Sequence, residues 1–265
     1  MLSPEEQGWV EKFQLYEKSV QNHEGDIEFI NSEFDRIYGK EPLVLREDFG
    51  GTGLLSCGWV KQSNKHKAYA VDLDPRPIGY GKSVHFINLS PDAQKRMTYI
   101  EGNVLDNQNF KSDVIVAFNF SYFIFKKRSQ LLTYFKKVRE GLNSKGAFFI
   151  DLFGGTEACQ PLVEETTHED HTYFWDCDNF NPISNEVLYY IHFKVGKRKI
   201  DKAFVYDWRM WSLAELREIL EEAGFSKTVA YWEGDDGEGG GDGNFYPADS
   251  AEACESWVTY IMALP

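Results

Sequence analysis

Apolar residues at the start of the chain recur with the spacing of amphipathic helices. The pattern Ser3–Glu6, with proline inside it, is typical of a capped helix start. A second helix is indicated by apolar residues that share one face: Ile27, Ile30, Phe34 and Ile37. Gly39 follows directly and is placed to end that helix. We therefore predict a helical cap over residues 1–40.

Beyond residue 40, short apolar runs typical of buried strands alternate with helical patterns. The predicted strands are Pro42–Leu45, Ala68–Val71, Arg96–Ile100, Val114–Phe118 and Ala147–Asp151. The predicted helices between them are Leu54–Lys61, Pro75–Phe86 and a segment with one apolar face formed by Leu131, Phe135, Val138 and Leu142. This alternation indicates βαβ units, and therefore an α/β protein with a parallel sheet.

The alternation breaks in residues 155–211, where the pattern predicts an inserted antiparallel sheet. Its predicted strands are Tyr173–Asp176, Val187–Val195 and Lys202–Trp208. A capping box at Ser212 then opens a helix that Gly224 ends, and the last two strands are Thr228–Trp232 and Trp257–Ala263. The predicted parts are a cap of residues 1–40, a core of residues 41–154 and 212–265, and a lid of residues 155–211.

Between the last two predicted strands, Glu233–Asp242 holds five acidic residues and five glycines and nothing else. Such a segment cannot bury apolar surface, so we predict a mobile loop. The loop joins a parallel strand to an antiparallel one. We therefore expect it at the edge of the sheet where ligands bind.

Acidic residues outnumber basic residues by 42 to 28, for a formal net charge of -14. Nucleic-acid binders normally carry a basic face, and none stands out here, so the composition disfavours DNA or RNA as a partner. No apolar run reaches the roughly 18–20 residues of a membrane span, and the first residues do not read as a secretory signal. The four cysteines are scattered, which indicates reduced thiols and a cytoplasmic protein.

A glycine-rich turn, Asp48–Gly53, separates the first core strand from the helix after it. Glycine lets a ligand approach the free N–H groups of a helix start closely. Asp72 ends the next strand, where its carboxylate can accept both hydroxyls of a ribose. These features indicate a cofactor that contains adenosine. NAD is one candidate, but its fingerprint needs a third glycine where this chain has Ser56.

Four segments in order resemble the motifs of class I S-adenosylmethionine-dependent methyltransferases: Arg46–Gly53, Val71–Pro75, Glu101–Val104 and Val116–Tyr122. The run Leu45–Gly53 is also similar to a largely uncharacterised bacterial branch of that superfamily. The resemblance implies a Rossmann-like, seven-stranded, mostly parallel sheet with an antiparallel last strand. It also implies S-adenosyl-L-methionine as the cofactor.

The resemblance further implies roles for individual residues. Glu47 occupies the acidic position of the first motif, Asp72 would bind the ribose, and Asn103 with the following N–H would contact adenine. Arg46 would pair with the methionine carboxylate. The expected cofactor contacts are Arg46, Glu47, Phe49, Gly51, Thr52, Gly53, Asp72, Leu73, Asn103, Val104, Asn119, Tyr16 and Gln21. The last two lie on the N-terminal segment, which closes over the cofactor in related small-molecule methyltransferases.

Phe49 departs from the first motif, because it stands where the family usually has a glycine. Its ring would crowd the methionine end of the cofactor, or Gly50 would take over the tight turn. The alternative that we favour is that the ring packs beneath the turn.

Methyl transfer depends on aligning two reactants and excluding water, so no catalytic residue needs to stand out and none is assigned. The expected acceptor contacts are Tyr122, Tyr173, Trp175 and Arg209. Aromatic residues of the insertion would wall a pocket for a cation or a planar ring, or would only fill one face of a small sheet. Arg209 would pair with a carboxylate of the acceptor. We assign no metal ligands.

The leading hypothesis is methyl transfer from S-adenosylmethionine to an unidentified small molecule by in-line displacement. One alternative is a protein methyltransferase that recruits a basic partner to its negative surface. Another is a protein that binds the cofactor but has no activity, because Phe49 has abolished catalysis. A pocket enclosed under the insertion would favour the first hypothesis, and an open groove would favour the second.

Overall fold

The computed structural model of the protein describes residues 4–237 and 240–265. The helices are α1 (Pro4–Val20), α2 (His23–Tyr38), α3 (Leu54–Gln62), α4 (Pro75–Val84), α5 (Pro91–Gln94), α6 (Arg128–Gly141) and α7 (Leu213–Glu222). The strands are β1 (Val44–Asp48), β2 (Lys67–Asp72), β3 (Met97–Glu101), β4 (Ser112–Ala117), β5 (Leu142–Gly154), β6 (Leu162–Thr167), β7 (Thr172–Asn181), β8 (Glu186–Val195), β9 (Arg198–Arg209), β10 (Lys227–Asp235), β11 (Gly241–Pro247) and β12 (Trp257–Leu264). The capping residue predicted at Ser3 lies outside the described residues.

Eight strands form the main sheet, in the order β11-β10-β12-β5-β4-β1-β2-β3. Strands β1 to β5 run parallel to one another, whereas β12 runs antiparallel to both β5 and β10. The predicted α/β fold with an antiparallel last strand is confirmed. Seven strands were predicted, and the eighth is β11, an exposed strand that pairs with β10 at the edge of the sheet.

Helices cover both faces of this sheet. On one face, Ile30 and Phe34 of α2 belong to a buried cluster with α3, and on the other, Leu131 and Phe135 of α6 belong to a cluster with α7. Burial on both sides explains why the parallel strands read as continuous apolar runs. No helix in the described ranges combines the length and the apolar composition needed to cross a bilayer.

The insertion forms a separate antiparallel sheet of β6, β7, β8 and β9. Because side chains alternate along strands, this sheet has two different faces. The inner face carries the aromatic residues Tyr173, Trp175, Tyr189, Tyr206 and Trp208. On the polar outer face, His192 is hydrogen-bonded to Asp176 and Asp201. Strand β6 was missed because it is exposed along its whole length and lacks an apolar alternation.

The prediction of a loop over Glu233–Asp242 is wrong for half of that segment. Strand β10 continues to Asp235 and pairs there with Gly241, the first residue of β11. Sheet pairing uses backbone groups, so it does not require apolar side chains, and the acidic side chains remain at the surface. Residues 236, 237 and 240 connect the two strands, and the N–H of Asp236 donates to the carbonyl of Gly240 at 2.9 Å, whereas residues 238–239 lie outside the described residues.

Arg46 lies inside the core rather than in a ligand site. Its Nε and Nη2 atoms donate to the two carboxylate oxygens of Asp48, each at 2.8 Å, and the hydroxyl of Tyr134 donates to the same carboxylate. Residues two apart on a strand point to the same face, so Arg46 and Asp48 meet beneath α6. The expectation that Arg46 pairs with a methionine carboxylate is therefore wrong, because its guanidinium is buried and bidentately paired.

We expect Arg46→Met to lower the free energy of unfolding by about 3–5 kcal/mol, because it leaves the buried Asp48 carboxylate without its cation. The double variant Arg46→Met/Asp48→Leu should recover most of this loss, since both buried charges are then gone. Urea unfolding of the wild type and both variants measures the difference. If the single and double variants had the same stability, the pair would not be the cause.

Candidate functional site

The turn between β1 and α3 has a left-handed backbone at three positions: Phe49, Gly51 and Gly53, with φ of 56°, 52° and 68°. Glycine adopts this conformation freely, whereas a residue with a bulky side chain rarely does. A Cβ atom on Gly53 would lie 2.6 Å from the ring of Tyr99, so no larger residue fits there. The turn thus brings the start of α3 to the carboxyl edge of the parallel sheet.

Phe49 makes this tight turn itself. Gly50 lies outside the left-handed region, so it does not take the turn over. The Phe49 ring packs edge-on against Phe125 and Tyr134, with centroid distances of 6.0 and 5.6 Å. The favoured alternative, a ring packed against the core, therefore agrees with the structure.

Asp72 connects the turn to the end of β2. Its Oδ2 accepts a hydrogen bond from the N–H of Gly51 at 2.8 Å, and its Oδ1 accepts one from the N–H of Asp74 at 2.8 Å. Burial raises the pKa of Asp72, although these backbone donors act in the opposite direction. The carboxylate therefore holds two loops together at the sheet edge.

Three other predicted residues lie beside Asp72. Leu73 is 69% exposed, Asn103 is exposed and accepts from the N–H of Leu105 at 2.9 Å, and Val104 is buried in the core. The parallel pairing of β2 with β3 places all three at the carboxyl edge. An adenine-binding role for them remains a prediction.

Glu47 is buried beneath the turn. Its carboxylate accepts from the N–H of Ser56 at 3.1 Å and from the hydroxyl of Ser56 at 2.6 Å, in the first turn of α3. Burial raises the pKa of Glu47 to about 7, because the charged form loses water and gains only the Ser56 donors. A positive charge nearby would stabilise this carboxylate.

A second buried carboxylate, Asp151 of β5, supports the loop after β4. Asn119 and Phe120 both have a left-handed backbone, each with φ of 57°. Their N–H groups donate to the two oxygens of Asp151 at 2.7 and 2.9 Å. Burial raises the pKa of Asp151 to about 7, against the effect of these donors. Asp151 thereby holds a strained segment at the site.

Of two predicted acceptor contacts, Tyr122 is wrong, and Arg209 stays a prediction. Tyr122 is fully buried in the core, and its hydroxyl donates to the carbonyl of Asp151 at 2.7 Å. Arg209 lies over the ring of Trp211 at 3.8 Å and donates to the carbonyl of Lys126 at 3.2 Å. Neither side chain lines the cavities described below, although the Nε atom of Arg209 is buried without a hydrogen-bond partner among the described residues.

Helix α1 joins the turn to the second sheet. The Thr52 hydroxyl donates to the carboxylate of Glu17, which is also bonded to the ring of His85 at 2.6 Å. On the same helix, Leu15 packs with Phe193 of β8. The N-terminal helix therefore covers the site from one side, as the resemblance implied.

The two predicted residues of the N-terminal segment both face the site. The hydroxyl of Tyr16 is hydrogen-bonded to Tyr206, and burial raises the pKa of Tyr16. The Oε1 atom of Gln21 is buried and has no hydrogen-bond partner among the described residues. A buried acceptor normally has a donor, so Gln21 is placed to accept from a ligand or a water molecule.

Two adjoining cavities open at this edge of the sheet. The larger one, here called the turn cavity, has a volume of about 510 Å³ and lies between the turn, α1 and β9. The smaller one, here called the aromatic cavity, has a volume of about 210 Å³ and lies against the inner face of the second sheet. Tyr16, Asn119 and Tyr206 line both. Two ligands could therefore meet at this junction.

The structure gathers most of the predicted site residues around these cavities. Those that line the turn cavity are Tyr16, Gln21, Glu47, Phe49, Gly51, Thr52, Asp72 and Asn119. The predicted residues Gly53, Leu73, Asn103 and Val104 do not line it. Tyr173 and Trp175 line the aromatic cavity.

Sequence reasoning missed residues that reach the cavities from distant elements. Lys12 of α1 lines the turn cavity and lies over the ring of Phe204 at 4.1 Å, and burial lowers the pKa of Lys12 to about 8. Glu164 of β6 lines the aromatic cavity. Neither residue has a local signal, because α1 and β6 reach the site only through tertiary packing.

No protein-family model matches the chain, and no curated protein matches it in sequence. Solved structures do match. An S-adenosylmethionine-dependent methyltransferase from Clostridium acetobutylicum ATCC 824 has a TM-score of 0.69 and 17% identity, covering 95% of this chain and 96% of that chain. DesVI from Streptomyces venezuelae has a TM-score of 0.68 and 14% identity, with 96% and 97% covered.

A third match is an amino pentose methyltransferase from Micromonospora echinaspora, with S-adenosylmethionine bound. Its TM-score is 0.67 and its identity 11%, with 95% of each chain covered. The chain has the fold of these methyltransferases. At such low identity the likeness is one of fold.

The backbone strain at Phe49 can be separated from the packing of its ring. Phe49→Ala and Phe49→Gly both remove the ring, but alanine keeps a Cβ in the left-handed conformation. We expect the glycine variant to be more stable than the alanine variant by about 1–2 kcal/mol. Thermal and urea unfolding of both variants measure this difference.

Phe110 provides the matched control, because it stacks on Tyr69 at 3.8 Å but has no positive φ. At that position, the glycine variant should be less stable than the alanine variant by about 0.5–1 kcal/mol. The same order of stabilities at both positions would contradict a left-handed strain at Phe49.

Proposed function

We propose that this chain is an S-adenosylmethionine-dependent methyltransferase that acts on a small molecule. The observation that carries the proposal is the pair of joined cavities at the carboxyl edge. One contains the glycine turn and Asp72, the other is walled by aromatic rings, and both meet at Tyr16, Asn119 and Tyr206. In open α/β sheets, ligands bind at this edge.

The residues of the turn cavity fit the cofactor. Asp72 offers a carboxylate to the ribose hydroxyls, and the volume of about 510 Å³ lies within the usual range for ligand sites. The unpartnered Oε1 of Gln21 supplies a buried acceptor for a donor group. The buried carboxylate of Glu47 lines the same cavity and favours a ligand with positive charge.

Bound S-adenosylmethionine supplies an electrophilic methyl group on a positively charged sulfur. The task of the protein is then to hold the acceptor in line with that group and to exclude water. Asn119, fixed by Asp151, and the Tyr16–Tyr206 pair stand at the junction where the reactants would meet. Their role is positioning, so we assign no general base.

The small-molecule assignment is supported by the aromatic cavity. The inner face of the second sheet covers it, with α1 on one side and the ends of β4 and β5 below, and its volume of about 210 Å³ suits a single small ring. Among proteins of the same fold, some bear the names sugar N-methyltransferase, amino pentose methyltransferase and glycopeptide N-methyltransferase. We also propose residues 1–40 as the cap, 41–154 with 212–265 as the core, and 155–211 as the lid.

The direct test is turnover. The purified chain is incubated with S-adenosylmethionine and a library of small amines, alcohols and acids, and the release of S-adenosylhomocysteine is measured. We expect release with at least one acceptor, and none from Asp72→Ala under the same conditions. Binding of the cofactor without turnover on any acceptor, including basic peptides, would point to a non-catalytic binding protein.

We expect Asp72→Ala to weaken binding of S-adenosylmethionine at least tenfold, because it removes charge-assisted hydrogen bonds worth about 1.5–3 kcal/mol each. Asp72→Asn, which keeps one acceptor oxygen, should lie between the wild type and the alanine variant. Calorimetric titration measures these affinities, and a thermal melt checks that each variant is folded.

Asp92→Ala is the matched control, because Asp92 is an exposed carboxylate that pairs with Arg96 far from the cavities. Its affinity for the cofactor should equal that of the wild type. An Asp72→Ala protein that still binds with wild-type affinity, or a wild type that binds NAD tightly, would overturn the cofactor assignment.

A further inference from the structure

The wall of the aromatic cavity contains one carboxylate and no cationic side chain. Glu164 contributes the carboxylate, and the other lining residues are aromatic, aliphatic or neutral polar: Tyr16, Val20, Asn119, Phe120, Phe153, Ala158, Tyr173, Trp175, Tyr189, Ile191, Tyr206, Trp208, Ser256 and Val258. Glu164 has no hydrogen bond or ion pair with any residue that the structure describes. The cavity therefore has an uncompensated negative charge at its wall.

The strand register explains how this carboxylate comes to face the rings. Glu164 of β6 lies directly opposite Trp175 of β7, so both side chains project from the same face of the sheet. Glu164 as a whole is exposed, because β6 is an edge strand, so its carboxylate stands at the mouth of the cavity. Glu165, the next residue, projects from the opposite face.

Behind Glu164 the rings form two close pairs. Trp175 stacks on Tyr189 with a centroid distance of 4.4 Å, and Tyr206 lies against Trp208 at 4.3 Å. The faces of such rings carry negative partial charge and attract cations, tryptophan most strongly. Rings and carboxylate together offer a cation both an aromatic surface and a counter-ion.

A neutral ligand would leave this arrangement incomplete. Partial burial of the Glu164 carboxylate raises its pKa, and the nearby Glu157 raises it further, so a cation beside Glu164 would stabilise the charged form. A planar neutral ring would use the aromatic faces but would cover Glu164 without pairing it. A cation satisfies both at once.

We propose that the methyl acceptor bears an amine that is protonated at neutral pH, and that the aromatic cavity holds this ammonium group between the carboxylate of Glu164 and the ring of Trp175. This inference rests on the proposed function only where it identifies the bound amine as the methyl acceptor. Recognition of the cation itself depends on the cavity alone. The acceptor class is thus a small aliphatic or cyclic amine recognised in its protonated form, in keeping with the volume of about 210 Å³. An ammonium nitrogen has no lone pair, so a nitrogen that itself takes the methyl group must first release this proton to solvent.

The test compares two probes of nearly equal shape, cyclohexylamine and cyclohexanol, in ligand-observed NMR titrations of the full chain saturated with S-adenosylhomocysteine. We expect the amine, which is protonated at pH 7, to bind at least tenfold more tightly than the alcohol. Glu164→Gln should weaken binding of the amine at least tenfold and leave the affinity for the alcohol unchanged. Equal binding of the two probes to the wild type would overturn the proposal.

Glu165→Gln is the matched control, because it removes the same charge from the same strand on the opposite face. It should change neither affinity by more than about twofold, even though the protein carries a net charge of -14. A loss as large as that of Glu164→Gln would mean that general surface charge, and not the cavity, attracts the amine. Trp175→Leu should also weaken binding of the amine. An unchanged affinity would contradict the placement of the ammonium group against the ring of Trp175.

The two proposals fail in different ways. If the amine binds in a Glu164-dependent manner but S-adenosylhomocysteine does not bind at all, the cation site is supported and the methyltransferase assignment is contradicted. If S-adenosylhomocysteine binds and the two probes have equal affinities, the methyltransferase assignment is supported and the assignment of an amine acceptor is contradicted.

Discussion

The site depends on one constraint: backbone N–H groups at the ends of parallel strands must find acceptors. This chain supplies carboxylates for that purpose, of which Glu47 and Asp151 are buried and Asp72 is partly buried. Asp72 accepts from the loops after β1 and β2, Asp151 accepts from Asn119 after β4, and Glu47 accepts from the start of α3. The same solution places carboxylates at the carboxyl edge, where burial raises the pKa of Glu47 and Asp151 to about 7 although their hydrogen-bond donors act in the opposite direction. An edge built in this way favours ligands with positive charge, such as a sulfonium or an ammonium group.

Helix α1 makes this edge into a pair of cavities. Through Glu17 it is bonded to Thr52 in the glycine turn, and through Leu15 it packs on the second sheet. Tyr16, between these two residues on the helix, lines both cavities. The cap and the inserted sheet are therefore held by the same short stretch of helix. Both α1 and strand β9 of the inserted sheet line the turn cavity.

The sequence predicted the elements that depend on local periodicity and failed where tertiary packing decides. The core strands, the capped helix at Ser212 and the turn with Asp72 were predicted from the sequence. Strands β6 and β11 were not, because exposed edge strands need no apolar pattern. The directions of Arg46 and Tyr122 were also wrong, since a motif places a residue on an edge but does not fix where its side chain points. The spacing of Arg46 and Asp48 on one strand contained the missing signal.

Phe49 illustrates how a departure from a motif can preserve the motif's geometry. The left-handed conformation that glycine would adopt freely costs a residue with a Cβ roughly 1–2 kcal/mol. The ring offsets that cost by packing against Phe125 and Tyr134, and Tyr134 in turn bonds the buried Asp48. The turn is thereby tied to the ion pair beneath it, and a flexible glycine is replaced by an anchored residue. A turn anchored in this way is pre-organised before a ligand arrives, so less of the binding free energy is spent on ordering the loop.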